Sequence, residues 1–305
     1  MNVSIVIPNW NGAEKLQKHL PAVLKSARHS TVAEIIVVDD KSTDQSVEII
    51  KRDFPDVKLV QKDKNTGFSS NVNLGVKSSS GDFIVLLNSD VSPEENFLDE
   101  ALPHFKDQKV FAVGCNSGGG WSRAEFRNGF FWHSQVDSVD KEESHQTLWV
   151  SGGSGIFRKS IWEELQGLDN LFDPFYEEDL DLGYRATKRG YINIWEPKSR
   201  VEHYHQGVTS GKKEVGVIKK HFSSEKIARI AQRNQLIFTW KNITSSILTA
   251  EHKKALGLML IKHPKYWQVF LSALVTLPQI LEKRKVEERE AKLTDEEVLS
   301  MFSSF

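Results

Sequence analysis

Cysteine is almost missing from this chain. Cys115 is the single one among 305 residues, so no disulfide can form within it and a reducing compartment fits. Long hydrophobic runs are missing too. No stretch approaches the roughly 20 consecutive apolar residues of a transmembrane helix. The opening MNVSIVIPNWNG has neither the charged start nor the long apolar run of a signal peptide. Nor does one charge dominate: 40 Lys+Arg face 41 Asp+Glu, a formal net charge of -1. That balance excludes a dedicated nucleic-acid binder, whose surface would be strongly basic. Anionic ligands must be held by local geometry. The absences together describe a cytoplasmic protein.

What is present first is an alternation. Val3–Ile7, Ile35–Val38, Val57–Val60, Phe83–Leu87 and Val110–Val113 have the length and composition of strands. Between them, 13–27 carries Leu16, Leu20, Val23, Leu24 and Ala27 on one helical face. Further helices are expected over 43–53 behind Ser42 as N-cap, over 68–79 and over 94–106. Such alternation implies βαβ units and an α/β fold with a mostly parallel sheet flanked by helices. Ligands then bind beyond the carboxyl ends of the strands. Residues 116–147 break the pattern and read as a long loop or hairpin over a site. LWVSGGSGIFRK follows as strand, glycines and strand, then a helix near 159–166 and YINIWEP as a strand. From about residue 212 the character is helical.

Three strand ends are polar: PNWNG (8–12), DDKSTD (39–44) and LNSDVSP (87–93). Asn88 and Asp90 at a strand end present two oxygen ligands on one side, suited to Mg²⁺ or Mn²⁺. Ser92 with Pro93 would cap a helix there. Ser42 and Asp44 also suit capping, which leaves one of Asp39 and Asp40 for a ribose or base. In NTGFSSNVNLGV, Gly67 permits close backbone approach, and capping suits Asn65 and Ser69 better than Asn73.

The stretch DPFYEEDLDLGYRATKRGY sets Glu177, Glu178, Asp179 and Asp181 within five positions. Tyr184–Gly190 reads as a helix with cations in its last turn and a glycine after it, so these acids fall at its N-terminus. Asp181 has Arg185 at i+4 as a partner. Asp179 is left over, and the helix terminus would keep it ionised, as a general base must be. His203 and His205 in VEHYHQG have a spacing suited to a metal or to plain packing.

In this order and spacing, VSIVIPNWNG, EIIVVDDKSTD, NTGFSSNVNLGV, GDFIVLLNSDV, VSGGSGIFRKSIWEELQGLDNLFDPFYEEDLDLGYRATKRGY and VEHYHQG resemble the family 2 nucleotide-sugar glycosyltransferases. The resemblance covers roughly residues 1–210, and the rhamnosyltransferase-like members that build bacterial surface polysaccharides are the nearest subgroup. It implies a GT-A fold over 1–211, with a nucleotide-sugar half (1–115), an acceptor half (116–211) and a helical extension (212–305). It implies that Pro8, Asn9 and Asn11, with Asp39 or Asp40, hold the nucleotide, and that Asn73 lies near the ribose or phosphates. Asn88, Ser89 and Asp90 take the place of the DxD motif, with Asp90 and His203 at a Mg²⁺ or Mn²⁺ ion. Asn88 departs from the usual aspartate, which weakens that site. Gly152, Gly153 and Glu178 would face the acceptor, and Asp179 would be the base of one inverting displacement.

The donor implied is dTDP-rhamnose or a UDP-sugar, and the acceptor a glycan or lipid-linked hydroxyl. A non-catalytic nucleotide-sugar or glycan-binding module of the same fold is the competing reading. A Rossmann dehydrogenase fits poorly, since no GxGxxG follows the first strand. In 255–285, Trp267, Phe270, Leu271, Leu274 and Val275 lie between Lys262, Lys265, Lys283, Arg284 and Lys285. They suit a helix on the inner face of the cytoplasmic membrane. Packing on the catalytic domain or across a homodimer would also satisfy them.

Overall fold

The structure is a computed structural model that describes residues 1–28, 31–136, 142–204 and 221–303. The first run is β1 (Val3–Asn9), α1 (Ala13–Ala27), β2 (Val32–Asp39), α2 (Ser46–Asp53), β3 (Lys58–Gln61), α3 (Phe68–Lys77) and β4 (Phe83–Leu87). A short β5 (Val91–Pro93), α4 (Phe97–Ala101) and β6 (Val110–Asn116) follow. Then come the hairpin β7 (Ser122–Arg127) and β8 (Phe130–Gln135), β9 (His145–Gln146), β10 (Ser154–Arg158), α5 (Lys159–Glu164), α6 (Glu178–Lys188) and β11 (Ile192–His203). Five helices close the chain: α7 (Ser224–Asn242), α8 (Ser246–Lys262), α9 (Tyr266–Leu274), α10 (Leu277–Glu290) and α11 (Asp295–Phe302). None of the described helices is long and apolar enough to cross a membrane.

The main sheet runs β3-β2-β1-β4-β10-β6-β11-β5. β3, β2, β1 and β4 are parallel, and β10 inserts antiparallel between β4 and β6. β11 lies parallel to β6, with β5 and β9 antiparallel against it. Parallel strands buried on both faces read as unbroken apolar runs, and every residue of β4 is buried. Alternate residues divide between two cores: Ile5, Val85 and Leu87 on one face, Val6, Ile84 and Leu86 on the other. A third core joins Phe131 of the hairpin and Tyr184 of α6 to Phe238, Val269, Ile280 and Val298 of the terminal helices.

Local signals misplace three features. Ser92 does not cap a helix: β5 pairs with Val201–His203, and α4 begins only at Phe97. The Ser92 hydroxyl instead meets His19 Nδ1 at 3.0 Å. Ser42 does not cap α2, because its hydroxyl donates to Asp39 (2.6 Å); Asp44 accepts from the Ser46 and Ala13 amides (both 3.0 Å). Residues 147–152 form no strand, and LWVSGGSGIFRK contributes β10 alone. In the first case a partner distant in sequence outcompetes the local cap, and in the second a carboxylate three residues back does.

Candidate active site

The β1–β2 register sets Pro8 opposite Val38 and Asn9 opposite Asp39, aligning two carboxyl ends. Asn9 Nδ2 donates to Asp39 at 2.9 Å, and Asp39 also accepts from the Ser42 amide and hydroxyl. Asp40 accepts from the amides of Thr66 (3.2 Å) and Gly67 (3.0 Å) and pairs with Lys62 at 2.7 Å. Both carboxylates therefore brace the loops around the strand ends. Asn11, at φ 51°, accepts from the Thr43 amide at 2.7 Å. The buried Asn9 Oδ1 has no hydrogen-bond partner among the described residues. A Cβ on Gly12 would sit 2.3 Å from that oxygen and 3.3 Å from Ser89 Oγ. Glycine at 12 thus keeps space between the ends of β1 and β4, beside an acceptor that lacks a donor.

After Leu87 the chain turns, with the Val91 amide on the Asn88 carbonyl at 3.0 Å. Strand alternation does not continue through 88–90, so Asn88 and Asp90 part company, contrary to the period-two expectation. Asn88 lies against Gly153: its amide donates to the Gly153 carbonyl at 2.9 Å, and a Cβ on Gly153 would lie 2.3 Å from Asn88 Nδ2. Asp90 sits between Lys15 Nζ (2.5 Å) and His203 Nε2 (3.3 Å). Burial opposes its charge, but His203 and Lys15 outweigh that and hold the carboxyl well below the usual range. The β5–β11 pairing, His203 opposite Val91, delivers the imidazole. His205 lies outside the described residues.

No group of three His, Cys, Asp or Glu among the described residues forms a metal cluster. The residues still fit Mg²⁺ or Mn²⁺ as borrowed rather than caged ions. An ionised carboxylate with a neighbouring imidazole suits cations that keep several waters and take phosphate oxygens.

The acidic stretch is held from two sides. Asp173 caps α3, accepting from the Ser69 amide (2.9 Å) and Ser70 hydroxyl (2.5 Å). Gly67 allows this, since a Cβ there would meet Asp173 Oδ1 at 2.5 Å. Tyr176 and Glu177 are both left-handed (φ 76° and 73°), each a strain of about 1–3 kcal/mol that surroundings must impose. Asn234 of α7 imposes it: Nδ2 reaches the carbonyls of Phe172 (2.8 Å), Phe175 (3.0 Å) and Tyr176 (2.8 Å). Arg233 adds a bond to the Asp173 carbonyl at 2.7 Å.

Beyond that turn the four acids separate. Asp181 is fully buried and bound by Arg185 (2.8 Å), Lys241 (2.8 Å) and Asn242 (2.7 Å). It is a structural anion. Glu178 is buried, and burial and the neighbouring Asp179 push its carboxyl well up, favouring the protonated form. Its Oε2 has no partner among the described residues. Asp179 is half-buried and accepts from the Leu180 amide at 2.8 Å. Burial raises its pKa, and Glu177 adds to this against the amides of Leu180 and Gly152 and the nearby His133. The helix terminus does not hold Asp179 below the usual range, as expected from sequence; burial wins.

His133 of β8 carries no signal in the sequence beyond its place in an aromatic hairpin. It lies 3.4 Å from Glu177 and edge-on to Trp149 at 4.9 Å. Burial lowers its pKa, but Glu177 and Asp179 more than reverse this. Asn73 is spent elsewhere: Nδ2 donates to the Leu168 carbonyl (2.7 Å) and Oδ1 accepts from the Leu168 amide (3.0 Å), locking α3 to the loop after α5. Gly152 joins the two regions. Its amide faces Asp179, and its neighbour Gly153 abuts Asn88.

Comparison with known proteins agrees with this fold. The chain is 28% identical over 196 residues to Glycosyltransferase AglE of Haloferax volcanii, a match covering 62% of each chain. It is 28% identical over 217 residues to the Pre-mycofactocin glycosyltransferase of Mycobacterium tuberculosis, covering 67% of this chain and 43% of that one. The matches thus span 62% and 43% of these relatives' lengths. A crystal structure of GalNAc-T7 with UDP, GalNAc and Mn²⁺ superposes with a TM-score of 0.63 at 16% identity, covering 87% of this chain and 57% of that one. At that identity the likeness is one of fold, the GT-A arrangement of a mostly parallel sheet between helices. The family model described as "Glycosyl transferase family 2" matches residues 4–166, more than half of the 305. The chain belongs to glycosyl transferase family 2.

Proposed function

We propose that this protein moves a sugar from a nucleotide-diphosphate donor to a hydroxyl of a glycan or lipid-linked acceptor, with inversion. The observation that carries the reading is the 151–154 loop. One glycine of it turns its amide toward the Asp179 carboxylate and the next abuts Asn88 at the end of β4. A base and a strand-end polar site are thereby joined through consecutive residues.

In this reading Asp179 removes the acceptor hydroxyl's proton as that oxygen attacks the anomeric carbon. A carboxylate raised above its ordinary pKa is a stronger base once ionised, and His133, whose pKa Glu177 and Asp179 raise, lies nearby. Glu178, kept protonated, can donate to an acceptor oxygen beside Gly152 and Gly153. Asn9, Asn11 and Pro8 shape the nucleotide site, with Asp39 and Asp40 bracing it. Asn88 and Ser89 line the diphosphate end. Asp90 and His203 would hold Mg²⁺ or Mn²⁺, which supplies charge stabilisation for the leaving diphosphate. Lys15, already paired with Asp90, adds a cation there. The catalytic work falls to 1–211, with 212–305 bracing it. The donor is dTDP-rhamnose or a UDP-sugar, and the product belongs to a bacterial surface polysaccharide.

A thermal-shift screen of UDP-, dTDP- and GDP-sugars, with and without Mg²⁺ or Mn²⁺, tests this. A donor at 100 times its Kd stabilises the native state by about 2.7 kcal/mol, a rise of about 5 °C in a chain of this size. If none of these donors moves the transition, the proposal fails. Gly153→Ala, whose methyl would crowd Asn88, is expected to weaken the best donor by about tenfold in a titration, while the fold persists.

A further inference from the structure

The terminal helices bury one side and leave the other apolar. α9 packs Tyr266, Val269 and Ala273 inward, at helical spacing. Its opposite side exposes Trp267, Leu271, Leu274 and Val275, the last at 81%. α8 exposes Leu258 and Ile261, the latter at 77%. Acid is scarce along this segment: from Ser246 to Leu281 the only acidic residue is Glu251, and it accepts the Gly129 amide at 2.8 Å. The same segment carries Lys253, Lys254, Lys262 and Lys265, all exposed. An apolar stripe rimmed by one sign of charge is poorly self-complementary, since a twofold contact sets each lysine rim against its copy. It complements a surface that is apolar within and anionic at its edge.

We infer that this face docks on an anionic phospholipid membrane, α9 lying in the interface with its Trp267 side inward and the lysines among the headgroups. The inference is independent of glycosyl transfer, since binding is read without turnover. The full chain is sedimented with vesicles of phosphatidylcholine alone and of phosphatidylcholine with one-third phosphatidylglycerol. Binding to the anionic vesicles is expected to be roughly tenfold tighter or more, and to weaken at high salt. Trp267→Ser with Val275→Ser should lose that binding, and Lys262→Glu with Lys265→Glu should lose the preference for phosphatidylglycerol, each with melting unchanged. Equal partitioning of the parent between the two vesicle types, or none, overturns the inference. So does a dimer seen by light scattering that Val275→Ser dissociates while vesicle binding persists.

Discussion

Asp179→Asn is expected to lower glycosyl transfer by about 10³-fold with donor affinity unchanged. The amide can keep the 2.8 Å bond from Leu180 and the shape of the turn, while losing the lone pair that takes the proton. Stability should not fall. The folded carboxyl titrates above its unfolded value. Charging it therefore costs stability as pH rises through the carboxylate range, a cost the amide does not bear. The check is steady-state release of the nucleoside diphosphate in the presence of acceptor, beside a melting curve at neutral pH. Transfer at the parent rate would assign the base elsewhere.

Lys241→Met carries the largest expected effect on stability. Lys241 Nζ lies 2.6 Å from Asp169 and 2.8 Å from Asp181, joining α7 to α6 and to the loop before it. Its removal leaves two buried carboxylates short of a cation, a loss of about 3–5 kcal/mol, or about 6 °C in melting temperature. Burial opposes the charge of Asp181, but Arg185 and Lys241 reverse this and hold its pKa below the usual value. A depressed folded pKa means stability present above the unfolded value and lost as pH falls through the folded one. The parent should accordingly lose this contribution in acid, and the variant should lose less there, having less to lose. Adding Asp181→Asn to the variant should recover part of the deficit. A variant melting within a degree of the parent would show that the network holds little.

The sheet was legible because its central strands are buried on both faces, so Val3–Ile7 and Phe83–Leu87 announce themselves without any partner in view. Asp90 and Asp179 stood out as acids their neighbours did not need. Much of α6 was not legible. Arg185 was expected on Asp181 and lies there, but Lys188 and Arg189, read only as cations for a helix end, are buried on Asp295 and Glu287. Two of those partners lie about a hundred residues downstream, a distance at which no periodicity speaks. His133 was hidden for the same reason. Its meaning comes from Glu177, which the hairpin reaches only by folding back.

The Asn234 clamp sets an order of events in time. A ribosome delivers β1 through β11 before α7 exists, and N-terminal units fold as they emerge. Until residue 234 arrives, the carbonyls of Phe172, Phe175 and Tyr176 lack the donor that fastens them. The sheet can therefore form early, while the turn ahead of Asp179 waits for the last third of the chain. A nascent protein would carry the strand ends before the turn is fixed, and under the proposed function it could hold a donor before it could spend one.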